Sequence, residues 1–135
     1  MAKFKLELDP DPEVTIIGIS SHVHDYRLCW SINRTMHIAL ARRKVDIADG
    51  DGKARYAAFD HVDDPTNGRV TLVSNHGEEG KLLKDQRHAD YFLVVDNELA
   101  ERTPDLLDRL RGAEFVLTAF PLPFTQLRAG HKLLL

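Results

Sequence analysis

The chain has 135 residues, a formal charge of −3, and Lys and Arg spread among Asp and Glu. That length fits one domain able to fold without a disulfide or structural metal, and the single cysteine, which cannot form an internal bridge, suits a reducing cytoplasm. The acidic balance without a basic stripe argues against duplex DNA, and no apolar run is long enough for a leader or a membrane span, so the expected setting is cytoplasmic.

Residues 3–8 alternate Phe4, Leu6 and Leu8 with Lys3, Lys5 and Glu7, the pattern of a half-buried strand, and Asp9-Pro10-Asp11-Pro12 stops it. Val14 to Ile19 is a β-branched run and predicts a buried strand. From about His22 to Met36 the period changes: Leu28, Ile32 and Met36 recur every four residues with Cys29 beside them, one face of a helix with Ser20 or Ser21 as its N-cap. Tyr26 and Trp30 form an adjacent stripe. Ile38, Leu40 and Arg42 alternate and predict a strand after the helix.

Asp49-Gly50-Asp51-Gly52 reads as a turn. Residues 54–62 and 69–75 read as a strand pair joined through Asn67-Gly68, a favoured pair for positive φ. Gly77-Glu78-Glu79-Gly80 is an exposed loop. Tyr91 to Val95 is apolar throughout, as a central strand covered on both faces requires. Thr103-Pro104-Asp105 is a helix start with Thr103 as N-cap, Leu106, Leu107 and Leu110 as buried face and Gly112 as C′ residue. Phe115 to Phe120 predicts a last strand, ended by Pro121 and Pro123, and one helical turn is expected in the tail from Phe124 to Leu135.

The order β-β-α-β-β-β-β-α-β predicts a single α+β domain over residues 1–135, a mostly antiparallel sheet with two main helices on one face, loosely a ferredoxin-like sandwich. The strand–helix–strand unit of 90–120 should cross over right-handed if its strands lie parallel. The helix-free face then needs a cover. A second subunit is the simplest one, so a homodimer is expected.

Seven His are present, but no CxxC, HExxH or HxxxH spacing accompanies them, so no metal and no cofactor is expected. A calcium loop around Asp49 to Gly52 fails because Ile47 and Ala58 fall where oxygen ligands belong. Cys29 lies on the apolar helix stripe and reads as a packed thiol rather than a nucleophile.

Chemistry concentrates in His24 to Asn33, which holds the only Trp and the only Cys. Asp25, Tyr26, Arg27, Trp30, Asn33 and Arg34 make a candidate contact face, because aromatics and Arg dominate interface energies. A Trp30–Arg34 stack is expected at helical spacing. Gly18-Ile19-Ser20-Ser21, the segment Asp25 to Trp30, Asn33, Ser74-Asn75 and Asp90-Tyr91 resemble the IPExxxVDY family of bacterial proteins. Here Leu83-Lys84-Asp85 stands where that family has Ile-Pro-Glu, and Ala89-Asp90-Tyr91 where it has Val-Asp-Tyr. The resemblance adds Asp90 and Tyr91 to the candidate surface and implies no catalytic residues.

Three readings follow. The first is a non-enzymatic module binding a protein or small ligand, as a homodimer or with a cytoplasmic protein partner. The second is a small enzyme using His24, Asp25, Tyr26 and Arg27, assisted by Cys29 or His22. It requires a concave pocket that brings such groups together. The third is RNA association through exposed Tyr and Trp with Arg34, Arg42, Arg43 and Lys44.

Overall fold

The computed structural model describes residues 12–49 and 53–135. The strand expected at 3–8, its Pro-rich stop and most of the turn at 49–52 lie outside the described residues. Strand β1 (Val14–Ser20) leads into helix α1 (Asp25–Met36). Short strands β2 (Ala41–Arg42), β3 (Ile47–Asp49) and β4 (Ala54–Tyr56) follow. Then come β5 (Ala58–Asp63), β6 (Gly68–Ser74), β7 (His76–Gly77), β8 (Gly80–Lys81) and β9 (Tyr91–Asp96). Helices α2 (Asn97–Glu101) and α3 (Leu106–Arg111) precede the edge strand β10 (Thr118–Pro121).

Six strands form one sheet in the order β10-β1-β9-β6-β5-β2, and every neighbouring pair is antiparallel. The path β1-α1-β6-β9-helices-β10 places its strands in the order fourth, first, third, second. That is the split β-α-β arrangement of a ferredoxin-like sheet, extended at one edge by β5 and β2. The strands of the 90–120 unit, β9 and β10, run parallel to each other, but they flank β1 on opposite sides and are not hydrogen-bonded neighbours.

Side chains alternate across this sheet as period-two geometry demands. Ile17, Ile19, Leu72, Leu93 and Val95 face the helices and pack with Leu28, Cys29, Ile32, Leu106 and Leu110. All three helices therefore cover one face. Ile16, Val73, Phe92 and Val94 point the other way, into a second cluster with Ile47, Tyr56, Leu82, Leu83, Ala89, Leu127 and Leu133. The helix-free face is thus covered by the chain itself. The β3–β4 pair, the 75–91 segment and two tail 3₁₀ turns (Phe124–Gln126 and Gly130–Leu134) do what a second subunit was expected to do. The tail is fastened by Lys132 on Asp49 at 2.9 Å and by Arg43, which donates to the backbone oxygen of Leu135 at 2.6 Å.

Several local expectations shift. Helix α1 starts at Asp25, not His22: Ser20 ends β1 and donates to the His88 carbonyl, Ser21 donates its N–H to Asp90, and neither caps the helix. The strand expected from Ile38 shrinks to Ala41–Arg42. The strand expected over 54–62 breaks at Ala57, and its first part pairs with β3. Gly77 to Gly80 is a tight hairpin, with Gly80 at φ 117. Thr103 caps no helix: it donates to the Leu99 carbonyl at the end of the unforeseen α2, and α3 begins after Asp105. Gly112 is right-handed at φ −89 rather than left-handed. The last strand begins only at Thr118, because Phe115 turns the chain at φ 72. Pro121 lies inside it, tolerated because β10 is an edge strand.

Asn75 organises the second layer. It is fully buried. Its Nδ2 donates to the carbonyls of Gln86 and Ala89 at 3.2 and 2.8 Å, and its Oδ1 accepts the Leu83 N–H at 2.8 Å. Its backbone pairs with Asp90 and Leu82. An irregular segment crossing a core must satisfy its backbone polar groups, and this one side chain does so at Leu83, Gln86 and Ala89. Asn75→Ala should cost about 3 kcal/mol in urea denaturation, since several buried groups lose their partners at once.

Candidate functional site

Two cavities collect the candidate residues, and helix α1 supplies both. Its buried stripe is as expected: Leu28, Cys29 and Ile32 are core, with Met36 half-buried against them. Its adjacent stripe faces outward. Tyr26 is 61% exposed and Trp30 50%. The first cavity, about 400 Å³ and open, is lined by Tyr26, Arg27, Trp30, Glu114 and Phe115.

The geometry of this first cavity is held from several sides. Tyr26 meets the Phe59 ring edge-on at 5.9 Å, and Arg42 donates to its hydroxyl at 3.3 Å. The Arg27 guanidinium sits 5.0 Å over the Phe115 ring, and Arg34 sits 5.3 Å over Trp30, the expected stack. Phe115 has a left-handed φ that a bulky side chain adopts only at a cost. It is kept there by neighbours: buried Ser31 donates to the Glu114 carbonyl, Val116 N–H bonds Ala113, and Leu117 N–H bonds Ser20.

The second cavity, about 410 Å³, lies where β1 and β6 end and β9 and α1 begin. Ser21, His22, Val23, His24, Asp25, Ser74, His76, Asp90 and Tyr91 line it. Asp90 is fixed at both oxygens. Oδ2 accepts the Ser21 N–H at 2.9 Å, and Oδ1 lies 2.7 Å from His76 Nε2. An ionised carboxylate only accepts, so that imidazole nitrogen carries the proton of the pair. Tyr91 donates its hydroxyl to the Val23 carbonyl at 2.8 Å. Burial, then the charges of Asp25 and Asp90, push its phenol up to about 12.

The enzymatic reading required one pocket for His24, Asp25, Tyr26 and Arg27. The structure divides them: His24 and Asp25 line the polar cavity, Tyr26 and Arg27 the aromatic one. Cys29 reaches neither. Burial raises its thiol pKa, against a smaller opposite effect of Asn33 and with Asp25 adding to the rise. Asn33 is also absent from both. Its Oδ1 accepts the Leu40 N–H at 2.7 Å, its Nδ2 donates to the Leu40 carbonyl at 3.2 Å, and its own carbonyl takes the N–H groups that end the helix. Asn33 is a helix-end brace, and the contact face loses it. Asp90 and Tyr91 belong to the polar cavity, not to the aromatic face.

The basic run is engaged within the chain. Arg42 pairs with Asp46 at 3.0 Å, and Arg43 bonds Asp60. Burial raises the Asp60 carboxyl, but hydrogen bonds from Arg43 and Thr71 outweigh it and hold the group lowered. That occupies two of the cations an RNA surface would need. A third cavity of about 160 Å³ sits between the end of α1 and the helices α2 and α3. Its polar rim is already satisfied: His61 accepts the Ala39 N–H, Asp63 bonds Thr66, and Arg109 pairs with Asp105.

The loop residue Phe115 was missed by sequence reasoning, and so was the pairing of His76 with Asp90. His76 lies fourteen residues from Asp90, and nothing in a lone His marks the pairing. Phe115 read as a strand residue. Among the described residues, no helix is long and apolar enough to cross a membrane, and no three His, Cys, Asp or Glu side chains converge as a metal site requires. Comparison with protein-family models, with curated proteins and with solved structures gave no match.

The contacts of Tyr91 and Cys29 can be read in solution. Tyr91→Phe should lose about 1 kcal/mol at neutral pH with the Val23 hydrogen bond. A raised phenol pKa gives stability that is complete below pH 10 and lost as pH rises through about 12. Wild type should therefore fall in stability over that window more steeply than Tyr91→Phe, as read by urea melts. Cys29 should react with a thiol reagent only as the chain opens, so its labelling rate should track added urea.

Proposed function

We propose that this chain is a non-enzymatic binding module, and that its recognition surface is the Tyr26–Arg27–Trp30–Arg34 face of α1 completed by Phe115. The partner is a protein segment of acidic character with an apolar anchor. The observation that carries the reading is the state of the two guanidinium groups. Arg27 and Arg34 lie over aromatic rings and make no ion pair among the described residues, beside two rings more than a third exposed. Stacked, weakly hydrated Arg groups are ready to meet carboxylates bidentately, and exposed Trp and Tyr supply apolar area at little entropic cost.

The strained Phe115 supports the same reading. Backbone strain of this sort persists where its surroundings enforce it and clusters at binding sites. Exposed Leu117 extends the apolar patch beyond it. Membership of the IPExxxVDY family is part of this proposal, and it brings no activity that competes with a binding role. The His76–Asp90 pair is what an enzymatic reading would draw on. Ser21 and Ser74, the hydroxyls of the same cavity, make their hydrogen bonds to backbone groups rather than to the imidazole.

Trp30 is the only tryptophan, so its fluorescence reports occupancy of the face directly. Titration with a Glu- and Asp-rich peptide carrying a central Leu-Phe pair should give a saturable blue shift that weakens with salt. Trp30 cannot report its own loss, so variants are read by anisotropy of the labelled peptide. Trp30→Ala should weaken binding about 30-fold, and Arg27→Ala about tenfold, as central interface anchors do. An equal response to a Lys-rich peptide, or a dimer in light scattering that already shields Trp30, would contradict an acidic partner.

A further inference from the structure

The polar cavity at the start of α1 plays no part in the aromatic face, and its ionisable lining is two carboxylates, the imidazoles of His22, His24 and His76, and the Tyr91 phenol. Asp90 is anchored by the Ser21 N–H and by His76, so its charge is fixed in place. The imidazole of His76 directs Nε2 to Asp90, and in its neutral form this leaves Nδ1 as an acceptor. Tyr91 has directed its only proton to the Val23 carbonyl and retains an oxygen lone pair. Asp25, half-buried in the first turn of α1, makes no hydrogen bond or ion pair through its carboxylate among the described residues. No Lys or Arg of the described residues lines the space. Lys81, opposite His76 in the β7–β8 pair, gives its ammonium to the Arg87 carbonyl.

The cavity therefore offers acceptors and negative charge. An anion would find the positive end of the helix already matched by Asp25. A bare metal ion would lack its ligand set, since no three suitable side chains converge among the described residues. A space of about 410 Å³ is larger than a desolvated ion needs and suits a small organic group.

We propose that this cavity is a second binding site, which takes a compact organic cation carrying N–H donors, a primary ammonium or a guanidinium. The Asp25 carboxylate is its charge partner, and His76 Nδ1 and the Tyr91 oxygen accept its remaining protons. The site differs from the aromatic face in location and in the sign of its ligand, so the two stand or fall separately.

The test is a ¹H–¹⁵N titration of the full chain with propylammonium chloride, methylguanidinium chloride, tetramethylammonium chloride and sodium acetate. The first two should give saturable shifts centred on Ser21, Asp25, His76 and Tyr91. Tetramethylammonium has the charge without the donors and should bind at least about tenfold more weakly, since charge-assisted hydrogen bonds carry the interaction. Asp25→Asn, whose melting temperature is followed in parallel, should weaken propylammonium binding at least about fivefold. Shifts that rise linearly without saturating, equal binding of tetramethylammonium, or saturable binding of acetate at the same amides would overturn the proposal. All four salts are titrated into the wild-type chain, so the proposal can fail whether or not the variant folds.

Discussion

A single buried amide governs much of this molecule. Asn75 closes the end of β6 and answers the backbone groups of the loop that returns to β9. Without it, Leu83 and Ala89 would carry unpaired N–H and C=O groups, a cost of about 1–3 kcal/mol for each buried group left bare. With it, Leu82, Leu83 and Ala89 are seated in the second core cluster, and Asp90 arrives beside β1 at a fixed height. The rest is geometric consequence. Asp90 takes the Ser21 N–H, Tyr91 takes the Val23 carbonyl, and the two contacts set where the chain leaves β1 and how α1 enters. Both cavities inherit their positions from that entry.

The two cavities show how one amphipathic helix serves unlike chemistries. The end of α1 near the sheet gives carboxylate and imidazole groups to an acceptor-rich space. Its outward stripe gives rings and guanidinium groups to an open one. The division follows from the helical repeat. Asp25 sits at the first turn, where a negative charge matches the helix dipole, while Tyr26, Trp30 and Arg34 recur every four residues on the face that the core leaves free.

Much of the fold was legible in the sequence because its signals are periodic. The β-branched run at Val14, the apolar run at Tyr91 and the four-residue spacing from Leu28 each impose a face that only one element type can bury. The cover of the helix-free face was not legible. Leu122, Phe124, Leu127 and Leu133 belong to 3₁₀ turns and connecting chain, whose spacing matches neither repeat, so the tail read as surplus and a second subunit was expected instead. Helix α2 was hidden by the stronger start signal at Thr103-Pro104, which a turn between two helices satisfies equally well. For the site, Tyr26, Trp30 and Arg34 were readable from helical spacing. Asn33 was not separable from them, because a brace to Leu40 and an exposed contact residue look alike in sequence. The bracing role of Asn75 and the pairing of His76 gave no local signal, since their partners lie eight to fourteen residues away.

The 75–91 segment belongs to the core through Asn75 and Asp90, and that membership builds the polar cavity. Native-state hydrogen exchange reads it at the amides of Ser21, Asn75, Leu82 and Leu83. These four should exchange as slowly as the central strand β9, through the same global opening. Exchange at the rate of the exposed Glu78–Glu79 turn, with β9 still protected, would show that the segment opens on its own and that the cavity is built some other way.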